Sequence, residues 1–443
     1  MADFARSADP AVQRQLDRLA ALGPGADILG LERITRLLER IGNPHLSLPP
    51  VLHVAGTNGK GSTCAFLRAA IESAGMQVHV YSSPHLVRFN ERIRLAGKLI
   101  EDAQLAPLLE EVLDAGGDIG ASFFEVTTAA AFLAFARTPA HACIVEVGLG
   151  GRLDATNVIP SPVATGIAQL GIDHQAFLGD TIEAIAAEKA GIAKRGVYLM
   201  TMRYPESVAA RVAEAAAQAG APLMAEGSAW RWLVRDGQLR YTDARGTITT
   251  PLPALAGPHQ PANLALAIAM LRFNPVIRLA NEAFTAAALG ARWPARMQRL
   301  SPGPLTAYLP GDVELWLDGG HNAAAGEAVA RALAEIRDGR DCHLVLGMLA
   351  NKDPEGLLAP LAGQLASVTT VPIPDHEHHA PADLAARASA LGVPVTGTEV
   401  DVESALLDIG NRVAGDGRPP IVLILGSLYL AGEVLQANDE LPG

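Results

Sequence analysis

Residues 51–63 read VLHVAGTNGKGST, and this stretch decides the fold of the first half of the chain. An apolar, β-branched run (Val51, Leu52, Val54) halts at Gly56-Thr57-Asn58-Gly59-Lys60-Gly61-Ser62-Thr63, and a helical pattern follows over 62–74. Glycines let backbone N–H groups close around phosphate oxygens, and a helix N-terminus adds partial positive charge. Lys60 supplies the full charge that a β/γ-phosphate attracts. The segment therefore reads as a nucleoside-triphosphate loop; the competing reading is a plain Gly-rich strand-to-helix turn with one solvated lysine. The strict consensus puts Ser or Thr directly after the lysine to reach Mg²⁺. Here Gly61 stands there and Val54 replaces the first glycine, so Ser62, Thr63 or a hydroxyl elsewhere must meet the ion.

At 443 residues the chain exceeds one comfortable core, which predicts two or three domains. With 49% apolar residues it can bury such cores. A net charge of −12 argues against a nucleic-acid-coating protein, because no general basic field exists; an anionic substrate needs a local basic pocket. Cys64, Cys143 and Cys342 are far apart and lack metal spacing, which suits a reducing cytoplasm. No signal peptide is read at the N-terminus and no apolar run reaches membrane-spanning length, so neither nucleic acid nor membrane is an expected partner.

Short apolar runs alternate with longer amphipathic ones. Strands are expected at 51–55, 77–81, 142–147, 163–168 and 197–201, with helices at 62–74, 102–114, 124–137, 181–192 and 205–219. That alternation predicts an α/β fold with a parallel sheet covered by helices. Residues 228–250 suggest an antiparallel excursion turning at Asp236-Gly237 and Asp243–Gly246, and a helix is expected from about Pro261 to Phe273. A boundary falls just after Trp293–Gln298, where Pro302-Gly303-Pro304 breaks regular structure. The expected domains are thus 1–297, a P-loop ATPase-type domain, and 298–443, a smaller doubly wound Rossmann-like domain. The second has strands at 313–318, 342–347, 367–373 and 420–426 and helices at 323–337, 354–365, 380–391, 402–414 and 428–437.

Ligands in such sheets sit beyond the carboxyl ends of the strands. The strand at 142–147 carries one acid, Glu146, before GLGGRLDATN. A carboxylate in an apolar strand is costly unless paired or metal-bound, so Glu146 reads either as an Mg²⁺ ligand beside the phosphate loop or as a solvent-facing strand end. Arg152 and Asp154 on the Gly-rich turn read equally as an ion pair. Ser82 and Ser83 end the second strand, and either could supply the hydroxyl displaced by Gly61. Asp173-His174 follow another strand, and Glu188 and Lys189 fall late on the next helix. Asp318 ends a strand of the second domain, where it could accept ribose hydroxyls. The run Asp375-His376-Glu377-His378-His379 looks metal-like, yet no scaffold fixes its ligands, so it reads as a polar loop.

The blocks AGTNGKGS, YSSPHLVRFNERIR, FFEVTTAAAF, EVGLGGRLDATN, DHQAFLGDTIEAIAAEKAGI, PARMQ, DGGHN, LGMLANKD and LGSLYL occur in that order from about residue 29 to residue 430. Jointly they resemble the folylpolyglutamate synthase/dihydrofolate synthase family of the Mur-ligase superfamily. The resemblance implies an ATP-dependent amide ligase that activates a pterin-linked carboxylate as an acyl phosphate and couples it to L-glutamate. By it, Gly59, Lys60, Gly61 and Ser62 would hold the triphosphate, and Asn263, Arg296 and Asp318 would also bind ATP. Ser83, Glu146 and His174 would bind Mg²⁺, with two ions expected. Lys189 resembles the family's carbamylated lysine, an anionic oxygen ligand for the second ion, and Lys60, Lys189 and His174 would carry catalysis. Ser122, Phe124, Arg152, Leu153 and Asp154 would face dihydropteroate or a folate, and His321 and Ser427 would contact glutamate. An acyl phosphate must be shielded from water, so closure of the two domains is expected, in a monomer.

Four positions depart from the family pattern. Ala295 replaces the usual Gly of PGRMQ, Ala323 the Pro common after HN, and Tyr429 a His; Ile28 stands where many members have Asp, with Asp27 displaced by one. Two other readings compete with the folate ligase. One is a related ligase acting on another carboxylic acid, which the FNERIR, FFE and LGGRLDATN blocks disfavour. The other is a nucleotide-binding switch, which has no need of Lys189, Arg296 or a glutamate site.

Overall fold

A computed structural model describes residues 6–22, 29–413 and 418–443; the departure at Ile28 and Asp27 lies outside them. The chain divides into two compact units, Met1–Ala254 with Gln260–Arg292, and Leu255–His259 with Trp293–Gly443.

The first unit is built on eight strands: β1 (Val51–Ala55), β2 (Val78–Tyr81), β3 (Ile93–Leu95), β4 (Lys98–Leu99), β5 (Ala142–Glu146), β6 (Ala164–Ile167), β7 (Leu199–Thr201) and β8 (Leu223–Ala225). They lie in the order β4-β3-β2-β5-β1-β6-β7-β8. The pairs from β2 to β8 are parallel, whereas β3 and β4 add an antiparallel edge that the alternation of runs did not announce. Every residue of β1 and β5 is buried, as expected of strands covered on both faces. One cover includes the helix Phe123–Arg137, whose Phe132 and Phe135 pack with Leu37, Leu105 and Leu109. Each such side chain contributes roughly 1.5–3 kcal/mol on burial.

The excursion near residue 230 is a three-stranded antiparallel sheet, β9 (Trp230–Arg235), β10 (Gln238–Asp243) and β11 (Gly246–Pro251), in the order β11-β10-β9. Its first turn uses Asp236 and Gly237 at φ 54° and 69°, the left-handed pair that a two-residue hairpin needs. Asp243 anchors this sheet to the helix Gln260–Phe273 by accepting two bonds of 2.6 Å from Arg272.

The second unit holds β12 (Gln298–Arg299), β13 (Glu314–Leu317), β14 (Cys342–Leu346), β15 (Ser367–Thr370), β16 (Val395–Thr398) and β17 (Ile421–Leu425), ordered β12-β13-β17-β14-β15-β16. Only the β12–β13 pair is antiparallel. Two prolines shorten elements relative to the sequence reading. Pro360 follows a helix that closes at Leu358 instead of reaching 365, and Pro372 follows a strand that ends at Thr370 instead of 373.

Candidate active site

The carboxyl ends of β2, β5, β1 and β6 are consecutive in the sheet, with Tyr81 opposite Val145, Val54 opposite Glu146 and Ala55 opposite Ile167. Glu146 closes β5, and the connections that leave the other three ends carry Ser83, the phosphate loop and His174. One edge of one sheet thus gathers what four separate sequence blocks supply.

The phosphate loop is held open by two glycines. Gly56 has φ 148° and lies so close to Ala168 that a Cβ would sit 2.9 Å from that residue's Cβ. Gly59 has φ 83°, and a Cβ there would lie 2.5 Å from Asn263 Oδ1. The helix Lys60–Ser73 begins immediately after, so its unbonded N-terminal amides face the loop. Lys60 folds back, donating to Gly56 O at 3.0 Å and Thr57 O at 3.3 Å. Thr63 donates to Gly59 O at 2.8 Å, and Ser62 Oγ accepts from Gln260 Nε2 at 3.3 Å. Gln260 in turn accepts from Asn263 Nδ2 at 3.1 Å. Gln260 was not singled out from the sequence, although its i, i+3 spacing to Asn263 at a helix start places both on one face.

Glu146 is 4% exposed. Its charge and that of Lys60 both reach the Cys64 thiol, which burial above all pushes well up; Glu146 adds to the rise and Lys60 opposes it. Of the two candidate hydroxyls just after β2, Ser82 is buried and turned to Glu91 O at 3.4 Å, while Ser83 is half-buried. The loop behind them is built on Glu91, whose carboxylate accepts from the amides of Leu86, Val87 and Arg88 at 2.8, 3.0 and 2.7 Å. His174 is exposed, sits at φ 52°, and its Nε2 lies 4.0 Å from Asp173 Oδ2.

Lys189, on the helix Ile182–Ala190, is 4% exposed. Burial first, and then repulsion from Lys60, lower its pKa to about 7, against the attraction of Asp173 and Asp154. Lys60, Lys189, Asp154 and Asp173 therefore share one local field. Beside this helix runs the loop that follows β5. Gly151 has no room for a Cβ, which would meet Glu188 O at 2.7 Å and Lys189 O at 2.8 Å. Arg152 N donates to Glu188 O at 2.8 Å, and Arg152 Nη2 donates to Glu188 Oε1 at 2.7 Å. The ion pair read from sequence for Arg152 is thus made with Glu188 instead of Asp154. Asp154 is 2% exposed and turned inward, accepting from Leu149 N, Thr156 N and Thr156 Oγ1. Burial raises its pKa against those donors.

Ser122 caps the helix Phe123–Arg137 in a reciprocal box with Glu125: Ser122 N donates to Glu125 Oε2 at 2.7 Å, and Glu125 N to Ser122 Oγ at 3.3 Å. Phe124 lies on Gly148, where a Cβ would be 2.3 Å from the ring. Leu153 is half-buried on the loop after β5. Phe124 therefore adjoins the loop that carries Arg152 and Leu153, and Ser122 lies two residues before Phe124 in the chain.

In the second unit Asp318, 6% exposed, accepts from Met297 N at 2.8 Å and Gly320 N at 2.7 Å. Burial raises its pKa, while neighbouring Arg296 opposes the rise. The departure at Ala295 is informative: it takes φ 52°, the left-handed conformation in which the family's glycine is unstrained. Ala323 stands at the first position of a helix, where a proline is equally at home, and Asn322 caps that helix by accepting from Ala325 N at 2.9 Å. His321 Nδ1 lies 2.9 Å from Gly319 O. Ser427, 3% exposed, caps the helix Leu428–Ala437 by accepting from Tyr429 N at 3.1 Å. β13 and β17 are neighbours, so the connections carrying Asp318–His321 and Ser427 leave adjacent strand ends. Tyr429 packs on His376, ring centroids 3.9 Å apart. Among the described residues no three His, Cys, Asp or Glu side chains converge as a metal cage, and the 375–379 histidines bond backbone carbonyls instead.

A phosphate loop at the centre of a parallel sheet, a buried carboxylate one strand away and a buried lysine in the same field define a nucleotide-binding enzyme of the P-loop type. Residues 305–437 match the family described as "Dihydrofolate synthetase, C-terminal domain". The dihydrofolate synthase/folylpolyglutamate synthase of Escherichia coli K12 is 36% identical over 332 residues, 75% of this chain and 74% of that protein. The solved E. coli FolC in complex with DHPP and ADP superposes with a TM-score of 0.86 at 30% identity, covering 98% of this chain and 99% of that one. A bifunctional folylpolyglutamate synthase/dihydrofolate synthase solved with Mn, AMPPNP and L-glutamate bound gives a TM-score of 0.82 at 30% identity, covering 99% of this chain and 98% of that one. The chain belongs to the dihydrofolate synthase/folylpolyglutamate synthase family.

Proposed function

We propose that this protein joins the amino group of L-glutamate to the carboxylate of dihydropteroate, of reduced folates, or of both, at the expense of ATP. The γ-phosphoryl group passes to a carboxylate oxygen, giving an acyl phosphate and ADP. The glutamate nitrogen then attacks the acyl carbon; the C–N bond forms, the C–O bond to phosphate breaks, and the amine gives up a proton. Family membership and the four adjacent strand ends with Ser83, Glu146, the phosphate loop and His174 support this reading.

Two anions must meet in the first step, so the chain's cations carry it. Lys60 and the helix-terminal amides after Gly59 balance the triphosphate and the charge that builds during transfer. Asn263, packed on Gly59, fixes the loop from the side. Ser83 and Glu146 offer the oxygen ligands that Mg²⁺ prefers and His174 a ring nitrogen beside them; phosphate and water oxygens would complete the shell. Bound there, the ion supplies further charge neutralisation of the phosphates. Lys189, already near neutrality, is suited to react with CO₂; its carbamate would replace a cation by an oxygen ligand for a second ion. In the second unit we assign the Arg296/Asp318 pair to the nucleotide, and His321 with Ser427 to glutamate. Ser122, Phe124, Arg152 and Leu153 are assigned to the pterin acid. A cytoplasmic monomer agrees with these assignments.

The test is inorganic phosphate release with ATP, Mg²⁺, L-glutamate and either dihydropteroate or tetrahydrofolate, each component omitted in turn. Release that needs all of them, with either acid, supports the ligase. Release without glutamate or pteroyl acid overturns it in favour of a nucleotide-hydrolysing switch.

A further inference from the structure

Three buried side chains link β1 to the loop after β5. Thr156 Oγ1 lies 2.5 Å from Asp154 Oδ1 and 2.8 Å from His53 Nε2. Asp154 takes backbone N–H donors on both oxygens, Thr156 N on Oδ1 and Leu149 N on Oδ2, so as an acceptor-only carboxylate it also receives the hydroxyl hydrogen. Oγ1 is then the acceptor toward His53, and the imidazole carries its proton on Nε2. The bonds run one way, His53 to Thr156 to Asp154. Burial, with the nearby Lys194 charge, holds His53 neutral with a pKa of about 3, so the ring carries a single proton. His53 and Thr156 are 0% exposed and Asp154 2%.

Both carboxylate oxygens of Asp154 are committed, Oδ1 also to Thr156 N at 3.0 Å and Oδ2 to Leu149 N at 2.8 Å. The loop so tied touches Phe124 through Gly148 and the Lys189 backbone through Gly151. Asn157 Nδ2 closes it from below, donating to Arg152 O at 3.0 Å and Gly191 O at 3.1 Å. We propose that the His53–Thr156–Asp154 chain positions the Gly148–Asp154 loop for the reaction, and that Asp154 acts through this loop instead of touching the pterin acid. The proposal rests on the ligase reading above.

The test is a double-mutant comparison in steady-state ligation with dihydropteroate, alongside melting temperature and nucleotide affinity. Thr156→Val keeps the shape and deletes the hydroxyl; Thr156→Ser restores it. Thr156→Val and Asp154→Asn are each expected to lower kcat about tenfold, the double variant no further, because neighbours in one network are not additive. Thr156→Ser stays within about twofold of wild type and the KM for ATP is unchanged in all. A raised acceptor KM in Asp154→Asn, with Thr156→Val silent, overturns the proposal and makes Asp154 a substrate contact. Should Thr156→Val fail to fold, His53→Gln combined with Asp154→Asn decides: coupled effects support the chain, additive ones overturn it. Wild-type protein that does not ligate at all overturns the functional reading; wild-type ligation with a silent Thr156→Val overturns only this inference.

Discussion

Gly59 and Asn263 are in contact so close that a Cβ on residue 59 would stand 2.5 Å from Asn263 Oδ1. The contact ties the phosphate loop to the start of the helix Gln260–Phe273, some 200 residues later in the chain. Gly59→Ala meets both this clash and a left-handed φ of 83°, the latter alone costing about 1–2 kcal/mol. The expected result is a folded protein whose ATP affinity falls at least tenfold. Calorimetric titration with a non-hydrolysable ATP analogue checks it; unchanged affinity would mean that the loop does not hold phosphate.

Lys189 gives a pH dependence with a definite sign. Its folded pKa of about 7 lies below the ordinary 10.5, so between those values the unfolded chain binds more protons than the folded one. Stability therefore rises with pH in that window, and the burial penalty is fully present below pH 7. Lys189→Met removes the group and should be the more stable protein at pH 6, the gap narrowing by pH 9. Urea unfolding at the two pH values in CO₂-free buffer measures this.

The same lysine is expected to matter for chemistry. Lys189→Ala should lose about 10- to 100-fold in ligation, as removal of an outer support of a metal commonly costs, with partial rescue by short-chain carboxylates. Wild-type turnover in that variant would end the carbamate assignment.

Much of this region was legible in sequence because strand ends in a doubly wound sheet are marked by glycine and polar residues after apolar runs. The phosphate loop, Glu146 and Asp318 all follow that rule. What escaped depends on partners far away in the chain. Arg152 pairs with Glu188 and not with Asp154, because the Gly-rich turn packs on the end of a helix 36 residues on. Gln260 reaches Ser62 across 198 residues. The segment Leu255–His259 packs with the second unit although it precedes any composition break. The antiparallel strands β3, β4 and β12 are two or three residues long, too short to show a period.

Ala295 tests the reading of a departure from the family pattern. In the left-handed region Ala pays strain that Gly does not, which offsets the entropy that Gly loses on folding. Ala295→Gly should therefore cost under about 0.5 kcal/mol, although the site is fully buried. The control Ala213→Gly, exposed within the helix Glu206–Ala219, should cost about 1 kcal/mol. Equilibrium denaturation of both decides; a larger loss at 295 would contradict the strain.

Glu146→Gln removes the buried charge beside the phosphate loop while keeping the shape. Its expected effect is a shift of the Mg²⁺ concentration for half-maximal activity upward by at least tenfold, as loss of a carboxylate ligand would give. An unchanged Mg²⁺ titration would make Glu146 a structural strand end.

The central claim is that this site makes an amide from L-glutamate and a pteroyl acid. Incubation with radiolabelled L-glutamate, ATP, Mg²⁺ and dihydropteroate, followed by chromatography of the product, tests it most directly. Transfer of label into a pteroyl–glutamate product, matched one to one by ADP, is the predicted result. ADP formation with all label left in free glutamate, for dihydropteroate and tetrahydrofolate alike, would contradict it.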